Sequence, residues 1–410
     1  MTDPRGRRSL THVGGKVERT GDSEVSEMLE HALDVSGSIE DEDSARAHVH
    51  GFHSYPARMH PVTASRLVHA FSPERGAVLD PFCGSGTVLV ETLLAGRDAF
   101  GSDINPLAVE LAITKTSRLT KEDAELLEKN GWEAAENADT RRKARAGATR
   151  KLPPEDVALF EPHVLLELDS IRSKLEKIKS SRIRMPLFMA LSAILVKVSR
   201  KESDTSEKQG QRRIAAGYTA KLFGKKVEEL CLRRLEFTEM LGEAKPKSIV
   251  QIDDATKLEK VKSHSVDAVI SSPPYAGTYD YIAHHATRLR WLNLAAKKFE
   301  ALELGSRRSY STLDGPTAHA RAVDETRRFL LAIAQPLKPG GNVVLVVGDS
   351  AVRRFALRAD AIVTEATVKT PFSVIARATQ TRKHFHAQTA SAFSEAPRAE
   401  HAIALKLADS

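Results

Sequence analysis

A short apolar strand followed by a glycine loop and an apolar helix constrains the fold of this chain most. The pattern predicts the strand at Gly76–Asp80 and the helix at Val88–Leu94. Gly84 and Gly86, in the loop, permit backbone conformations and close approaches that a side chain would prevent. Asp80 falls at the carboxyl end of the strand, where doubly wound sheets bind ligands, and the helix N-terminus offers free amides to an anion. The pattern therefore indicates an α/β fold with a ligand site above this strand.

A second apolar strand, Val266–Ile270, stops abruptly at a serine and proline turn. Pro273 and Pro274 lack amide hydrogens, so the segment cannot continue a sheet ladder or a helix, although its carbonyls remain acceptors. Ser272 adds a small hydroxyl and Tyr275 adds a flat ring. Rigid acceptors beside an aromatic ring suit a planar base that carries an exocyclic amino group. The alternative is a proline-terminated strand whose tyrosine packs in the core.

Together the two motifs resemble those of the amino-group DNA methyltransferases, which modify N4 of cytosine or N6 of adenine. Residues 80–87 have the sequence Asp-Pro-Phe-Cys-Gly-Ser-Gly-Thr, and residues 272–275 have the sequence Ser-Pro-Pro-Tyr. The resemblance implies a Rossmann-like class I methyltransferase fold, in which a seven-stranded, mostly parallel sheet has an antiparallel closing pair. A helical insertion is added to it here. It also implies S-adenosylmethionine as cofactor and double-stranded DNA as partner, with the target nucleotide flipped out.

The same resemblance implies the site residues, and no metal is expected among them. The predicted catalytic residues are Ser272, Pro273, Pro274 and Tyr275. The predicted cofactor-binding residues are Tyr55, Pro56, Asp80, Phe82, Cys83, Gly84, Ser85, Gly86, Thr87, Asp103, Asn105, Asp254 and Ala255. Ser272 and the Pro273 carbonyl would accept hydrogen bonds from the amino group. These hydrogen bonds would turn the lone pair of the amino nitrogen towards the methyl group of the cofactor.

Several of these assignments have structural alternatives. The segment around Tyr55 resembles an element that closes over the methionine end of the cofactor, but it could be a loop that proline fixes. Asp103 lies about twenty residues beyond the glycine loop, at the distance of a ribose-binding acid, although an isolated acid there often caps a helix. Asp254 and Ala255 are expected against the adenine, or else form a simple turn. We interpret Cys83 as a packed loop residue rather than a nucleophile.

Four histidines, His48, His50, His53 and His60, precede the glycine loop and raise the question of a metal site. No carboxylate or cysteine cluster accompanies them at ligand spacing, so the sequence favours no metal there.

Charge divides the chain into regions. Residues 115–247 contain 29 Lys and Arg against 21 Asp and Glu, whereas the remainder contains 32 against 33. We expect a flexible N-terminal tail over 1–45, in which Glu24–Ala32 forms at most one or two amphipathic turns. The catalytic domain is predicted over 46–114 and 248–410, around a basic helical insertion over 115–247. This insertion and its polar loop, Arg200–Arg213, are candidates for contacting DNA phosphates.

The two cysteines fit a reducing compartment, and no apolar run has membrane-spanning length. We therefore expect a soluble, cytoplasmic protein without a membrane partner. A cognate restriction endonuclease is a further candidate partner. In the family that the motifs resemble, Ser at the position of Ser272 is commoner among cytosine N4 enzymes, so the resemblance favours cytosine N4 over adenine N6. The alternatives are a methyltransferase that acts on tRNA or rRNA bases and, less favoured, a DNA-binding subunit without catalysis.

Overall fold

The computed structural model describes residues 14–35, 43–203, 210, 213–383 and 387–408. Its strands form one large sheet and one small antiparallel pair, β7 with β8. The strands are β1 (Gly14–Gly21), β2 (Ala77–Asp80), β3 (Asp98–Asp103), β4 (Ser248–Ile252), β5 (Val266–Ser271), β6 (Leu337–Gly348), β7 (Ser350–Val352), β8 (Phe355–Leu357), β9 (Phe372–Arg382) and β10 (Ala399–Leu407).

The large sheet has the order β1-β9-β10-β6-β5-β2-β3-β4. Strands β6, β5, β2, β3 and β4 are parallel neighbours, whereas β10 runs antiparallel between β6 and β9. The predicted α/β class, with a mostly parallel sheet and an antiparallel closing pair, is therefore confirmed. The sheet has eight strands rather than the expected seven, because β1 pairs antiparallel with β9.

The flexible tail expected over 1–45 is wrong for residues 14–35, which form β1 and the helix α1 (Ser23–Leu33). The open edge of β9 supplies the hydrogen bonds for β1, and the Asp22 side chain accepts from the Val25 amide to cap α1. Leu29 is fully buried in a core shared with Leu67 on the next helix. Burial of this apolar face orders a segment whose composition alone predicted disorder.

Helices cover both faces of the sheet. The other α-helices are α2 (Pro61–Phe71), α3 (Thr87–Leu94), α4 (Pro106–Thr116), α5 (Lys121–Lys143), α6 (Pro154–Leu159), α7 (Pro162–Glu176), α8 (Ser181–Leu195), α9 (Tyr218–Met240), α10 (Tyr281–His284), α11 (Ala286–Trp291), α12 (Arg307–Tyr310), α13 (Gly315–Ala334) and α14 (Ala359–Thr367). Short 3-10 turns lie at His48–Gly51, Lys297–Leu302 and Ala387–Phe393. Among the described residues, no helix is both long and apolar enough to cross a lipid bilayer.

The stretch 115–247, predicted as a helical insertion, contains α5 to α9. Its core is continuous with the rest of the chain, since Leu107 and Leu111 of α4, Phe52 and Trp291 belong to the same buried cluster. These helices are thus packed on the rest of the described chain rather than tethered to it. Most of the polar loop considered for phosphate contact, 204–209 and 211–212, lies outside the described residues.

Candidate active site

The chain reverses its direction across the sheet between β2 and β5. From β2 it builds β3 and β4 on one side, and it then crosses over to β5 and β6 on the other. At such a switch point the loops after the strands separate and leave a crevice. A cavity of about 670 Å³ of empty space lies there, lined by residues that follow β2, β3, β4 and β5.

The glycine loop needs both of its glycines, for different reasons. Gly84 has a φ of 47° and donates its amide to Asp103 Oδ2 at 3.0 Å. Gly86 has a φ of 84°, and a Cβ added there would lie 3.1 Å from the Ala112 Cβ on α4. Left-handed backbone at both glycines, and the close helix at Gly86, therefore exclude side chains at these two positions. The turn brings the N-terminus of α3 to the edge of the crevice.

Asp103 ends β3 and faces the cavity. Its Oδ1 accepts the Asn105 amide at 2.8 Å while Oδ2 holds Gly84, so each oxygen retains acceptor capacity for a ligand hydroxyl. Burial raises the pKa of Asp103 to about 6. Asn105, not Asp103, caps α4, because its Oδ1 accepts the Leu107 amide at 3.1 Å. The geometry leaves Asp103 available to a ribose.

Asp80 lies almost completely buried at the end of β2, where the Ser271 hydroxyl donates to Oδ1 at 2.6 Å. Burial raises the pKa of this carboxyl to about 7. It lines a cavity of about 330 Å³ together with Ser85 and Thr87. Within the described part of the chain, the buried hydroxyls of these two residues have no hydrogen-bond partner. Unpartnered hydroxyls beside a carboxyl and a helix N-terminus fit the ammonium and carboxylate of an amino-acid ligand.

Cys83 is buried in the same loop, as a packing residue would be. Burial raises the pKa of its thiol well above the ordinary value. The thiolate needed for nucleophilic attack is therefore disfavoured at this position.

The Ser-Pro-Pro-Tyr loop after β5 separates the cofactor side from a second cavity of about 1180 Å³ of empty space. Ser272 lines both cavities. The Tyr275 hydroxyl donates to Glu400 Oε1 at 3.1 Å, and Glu400 Oε2 accepts from Arg382 Nη2 at 2.7 Å. The Tyr275 ring packs on Gly348, where an added Cβ would lie 2.6 Å from Cε2. Contacts at the ring edge and at the hydroxyl thus fix the position of Tyr275, which lines the second cavity.

Most of the predicted site residues line these cavities. The crevice of 670 Å³ is lined by Tyr55, Phe82, Gly84, Asp103, Asn105, Asp254, Ala255, Ser272 and Pro274. The small cavity adds Asp80, Cys83, Ser85 and Thr87, and the second cavity adds Pro273 and Tyr275. Pro56 and Gly86 are absent from the walls of all three cavities. Gly86 instead permits the close packing of the loop on α4.

Sequence reasoning missed Glu303, which lines the crevice. Its Oε1 accepts the amides of Tyr281 at 2.5 Å and Ile282 at 3.3 Å, and burial raises its pKa to about 7. Its Oε2 is buried without a partner among the described residues. No local signal marks a lone acid in a stretch without clear periodicity.

The fold brings Glu91 of α3 to two of the four histidines. Glu91 Oε1 lies 2.7 Å from His50 Nε2, and the ligand atoms of Glu91, His48 and His50 lie within 4.8 Å of one another. Burial lowers the pKa of both histidines, and the nearby Lys115 lowers each further. Burial also raises the Glu91 pKa to about 7. The absence of a metal at this cluster stays a prediction.

Comparison with known proteins gives a family and related enzymes. Residues 29–114 match the model of a DNA methylase family. The chain is 28% identical over 270 residues to the type II methyltransferase M.MvaI of Kocuria varians, covering 60% of this chain and 58% of that protein. It is 23% identical over 279 residues to the type II methyltransferase M.BsoBI of Geobacillus stearothermophilus, covering 62% and 54%. The chain thus spans little more than half the length of these relatives.

The matches confirm the resemblance to the amino-group DNA methyltransferases, and the matched family implies the predicted cofactor, S-adenosylmethionine. Among solved structures, the rRNA methyltransferase aviRa of Streptomyces viridochromogenes is 11% identical, with a TM-score of 0.35 over 92% of this chain and 96% of that chain. A methyltransferase of Methanosarcina mazei gives 11% identity and a TM-score of 0.33, over 87% of this chain and all of the other. Likenesses this weak support no conclusion about activity.

Proposed function

We propose that this chain, a relative of the amino-group DNA methyltransferases, methylates the exocyclic amino group of a base in DNA. S-adenosylmethionine supplies an electrophilic methyl group on sulfur. N4 of cytosine is favoured over N6 of adenine, and the target nucleotide is flipped out of the duplex. Ser272, Pro273, Pro274 and Tyr275 form the catalytic set in this proposal.

The observation that carries this proposal is the position of Ser272 where two cavities meet. On one side lies the crevice with Asp103 and Asp254, whose acids and loops suit a nucleoside cofactor. On the other side lies the larger cavity with Tyr275 and Tyr279, which has room for a base. Methyl transfer needs donor and acceptor held in line, and only a boundary residue contacts both.

The residues of the loop supply acceptors rather than a strong base. An aromatic amine is a poor nucleophile, because its lone pair is delocalised into the ring. Hydrogen bonds from the amine to the Ser272 hydroxyl and the Pro273 carbonyl draw the nitrogen towards a tetrahedral shape. The proton then leaves after positive charge has developed on nitrogen. Positioning provides most of the rate gain.

Flipping a nucleotide needs phosphate contacts outside the pocket. The helical insertion, residues 115–247, is the proposed source, since it contains the net positive charge of the chain. Its helices share a core with α11, which closely follows the aromatic residues Tyr279 and Tyr281 of the base cavity. Phosphate contacts on the insertion would therefore be rigidly linked to the pocket.

The test is mass spectrometry of nucleosides from DNA and RNA incubated with the protein and isotope-labelled S-adenosylmethionine. We expect label in N4-methylcytosine of DNA. Label in N6-methyladenine of DNA would keep the enzyme class and correct the base. Label confined to RNA would replace DNA by RNA as substrate, and cofactor binding without any transfer would indicate a non-catalytic subunit.

A further inference from the structure

Three arginines line the second cavity, the one that is proposed to hold the base. Two of them already donate hydrogen bonds to other groups of the protein. Arg58 donates Nη1 to the His50 carbonyl and Nη2 to the Ala45 carbonyl, both at 2.6 Å. Arg382 donates Nε and Nη2 to Glu400, at 3.1 and 2.7 Å. Both guanidinium groups therefore brace the walls of the cavity. The third is Arg398.

Arg398 is held through its Nε atom. The two Nη atoms of its guanidinium form a fork of donors that remains available to a ligand. Its Nε donates to the Asp349 carbonyl at 2.8 Å. Within the described residues, neither Nη of Arg398 takes part in a hydrogen bond or an ion pair with the protein. An added Cβ on Gly348 would lie 3.2 Å from Nη2 and 2.6 Å from the Tyr275 ring. The free end of the fork thus lies beside Tyr275, in the cavity that Ser272 and Pro273 line.

We propose that Arg398 reads the base in this cavity and selects cytosine. The inference rests on the proposed function, which places the amino group of the base against Ser272 and Pro273. Next to that amino group, cytosine presents two adjacent acceptors, N3 and O2. Adenine presents the acceptor N1 and then C2–H, which leaves one donor of the fork unpaired. Arg398 has only donors to offer, in a planar pair that matches two neighbouring acceptors.

The surroundings keep the fork aimed at the base. The backbone bond from Nε restricts rotation of the guanidinium, and Tyr275 is itself held by Glu400. Glu400 is already occupied by Tyr275 and Arg382, so it does not compete for the Arg398 fork. A bidentate pair of this kind discriminates between bases by roughly 10–100-fold.

The experiment compares the wild-type protein with Arg398→Met, which keeps side-chain length and removes every donor. The probe is amplified, unmodified genomic DNA with labelled S-adenosylmethionine, and the rates of N4-methylcytosine and N6-methyladenine formation are measured. We expect cytosine methylation to fall about 10–100-fold and the ratio of methylcytosine to methyladenine to fall with it. Arg398→Lys, which keeps the charge without the fork, is expected to recover only part of the loss.

Arg328→Met is the matched control, because Arg328 lies exposed on α13 and pairs with Asp324 at the surface. Cofactor affinity should be unchanged in Arg398→Met, whereas the melting temperature should fall slightly, because the bond from Nε to the Asp349 carbonyl is lost with the other donors. An unchanged cytosine rate overturns the inference. So does a uniform loss of DNA affinity with a salt dependence weaker by about one phosphate contact, which would assign Arg398 to the backbone. A wild-type protein that labels no DNA base overturns the proposed function as well.

Discussion

The loops after β2 and β5 lie side by side, yet they present opposite hydrogen-bonding groups. The loop after β2 has glycines in left-handed conformations and leads into the free amides of α3. The loop after β5 has two prolines and therefore offers carbonyls and a hydroxyl instead of amides. The loop after β2 suits a charged ligand that must be neutralised, whereas the loop after β5 suits an amine that must be oriented.

The two loops are also coupled. Ser271, the last residue of β5, donates its hydroxyl to Asp80, the last residue of β2. This contact therefore holds the Asp80 carboxyl next to the start of the Ser-Pro-Pro-Tyr loop, at the ends of two neighbouring strands. Substitutions on either side of this contact should separate cofactor binding from turnover.

Ser272→Ala should have the largest effect on turnover. It removes one acceptor for the amino group, whereas the carboxyls and amides proposed to hold the cofactor belong to other residues, so kcat should fall by about 100-fold or more. The dissociation constant for S-adenosylmethionine should stay within about twofold of that of the wild type. Single-turnover methylation and calorimetry measure the two quantities.

Ser265→Ala is the control for this change. Ser265 precedes the other end of the same strand, where its hydroxyl donates to the Lys262 carbonyl. Its kcat should match that of the wild type. Unchanged turnover in Ser272→Ala would remove the serine from the proposed catalytic set.

Asp80→Asn should have the largest effect on cofactor binding. The amide oxygen of the substituted side chain can still accept from the Ser271 hydroxyl, but the charge that meets the ammonium is lost. Hydrogen bonds to charged groups contribute about 1.5–3 kcal/mol, so the dissociation constant should rise roughly 10–100-fold. Asp324→Asn, at an exposed ion pair, is the surface control. An unchanged cofactor affinity in Asp80→Asn would contradict the role of Asp80.

The pH dependence sharpens this prediction. Because burial raises the pKa of Asp80 from its ordinary 3.8 to about 7, cofactor affinity should weaken as pH falls below 7 and level off above it. The folded chain binds this proton more tightly than the unfolded chain, so Asp80 lowers stability as pH rises from about 4 to 7. Asp80→Asn should therefore melt higher than the wild type at pH 8. A lower melting temperature would show that the carboxylate stabilises the loop instead.

Tyr275→Phe should have the smallest effect. The ring stays against Gly348, and Glu400 keeps its bonds to Arg382, but the hydrogen bond from the hydroxyl to Glu400 is lost. A hydrogen bond to a charged carboxylate contributes about 1.5–3 kcal/mol, but this bond positions the ring and does not contact the reacting amine, so the loss of kcat should stay within roughly tenfold. Tyr218→Phe, at an exposed tyrosine, is the matched control for the assay. A loss of 100-fold would instead place the hydroxyl in the chemistry.

The strands and loops that form the crevice could be predicted because their signals are local. Proline, glycine and β-branched residues set the backbone within a few positions, whatever packs around them. The bounds of helix α5 within the predicted helical insertion could not be predicted, because its buried face consists mostly of small residues such as Ala124, Gly131 and Ala138. Its position depends on close packing, since an added Cβ on Gly131 would lie 2.9 Å from Val227 on α9.

Sequence by itself determined the α/β class, the order of the motifs and the residue types at the carboxyl ends of β2, β3 and β5. Tertiary structure alone decided that β1 completes the sheet, that Glu303 enters the crevice and that Glu400 anchors Tyr275. Arg398 is the clearest example. Its fork is free because the nearby acid Glu400 accepts from Tyr275 and Arg382, and Tyr275 comes from a distant part of the chain. Neighbouring residues determine the chemical groups that a loop offers. Which of those groups remain free to bind a ligand depends on tertiary contacts that form only on folding.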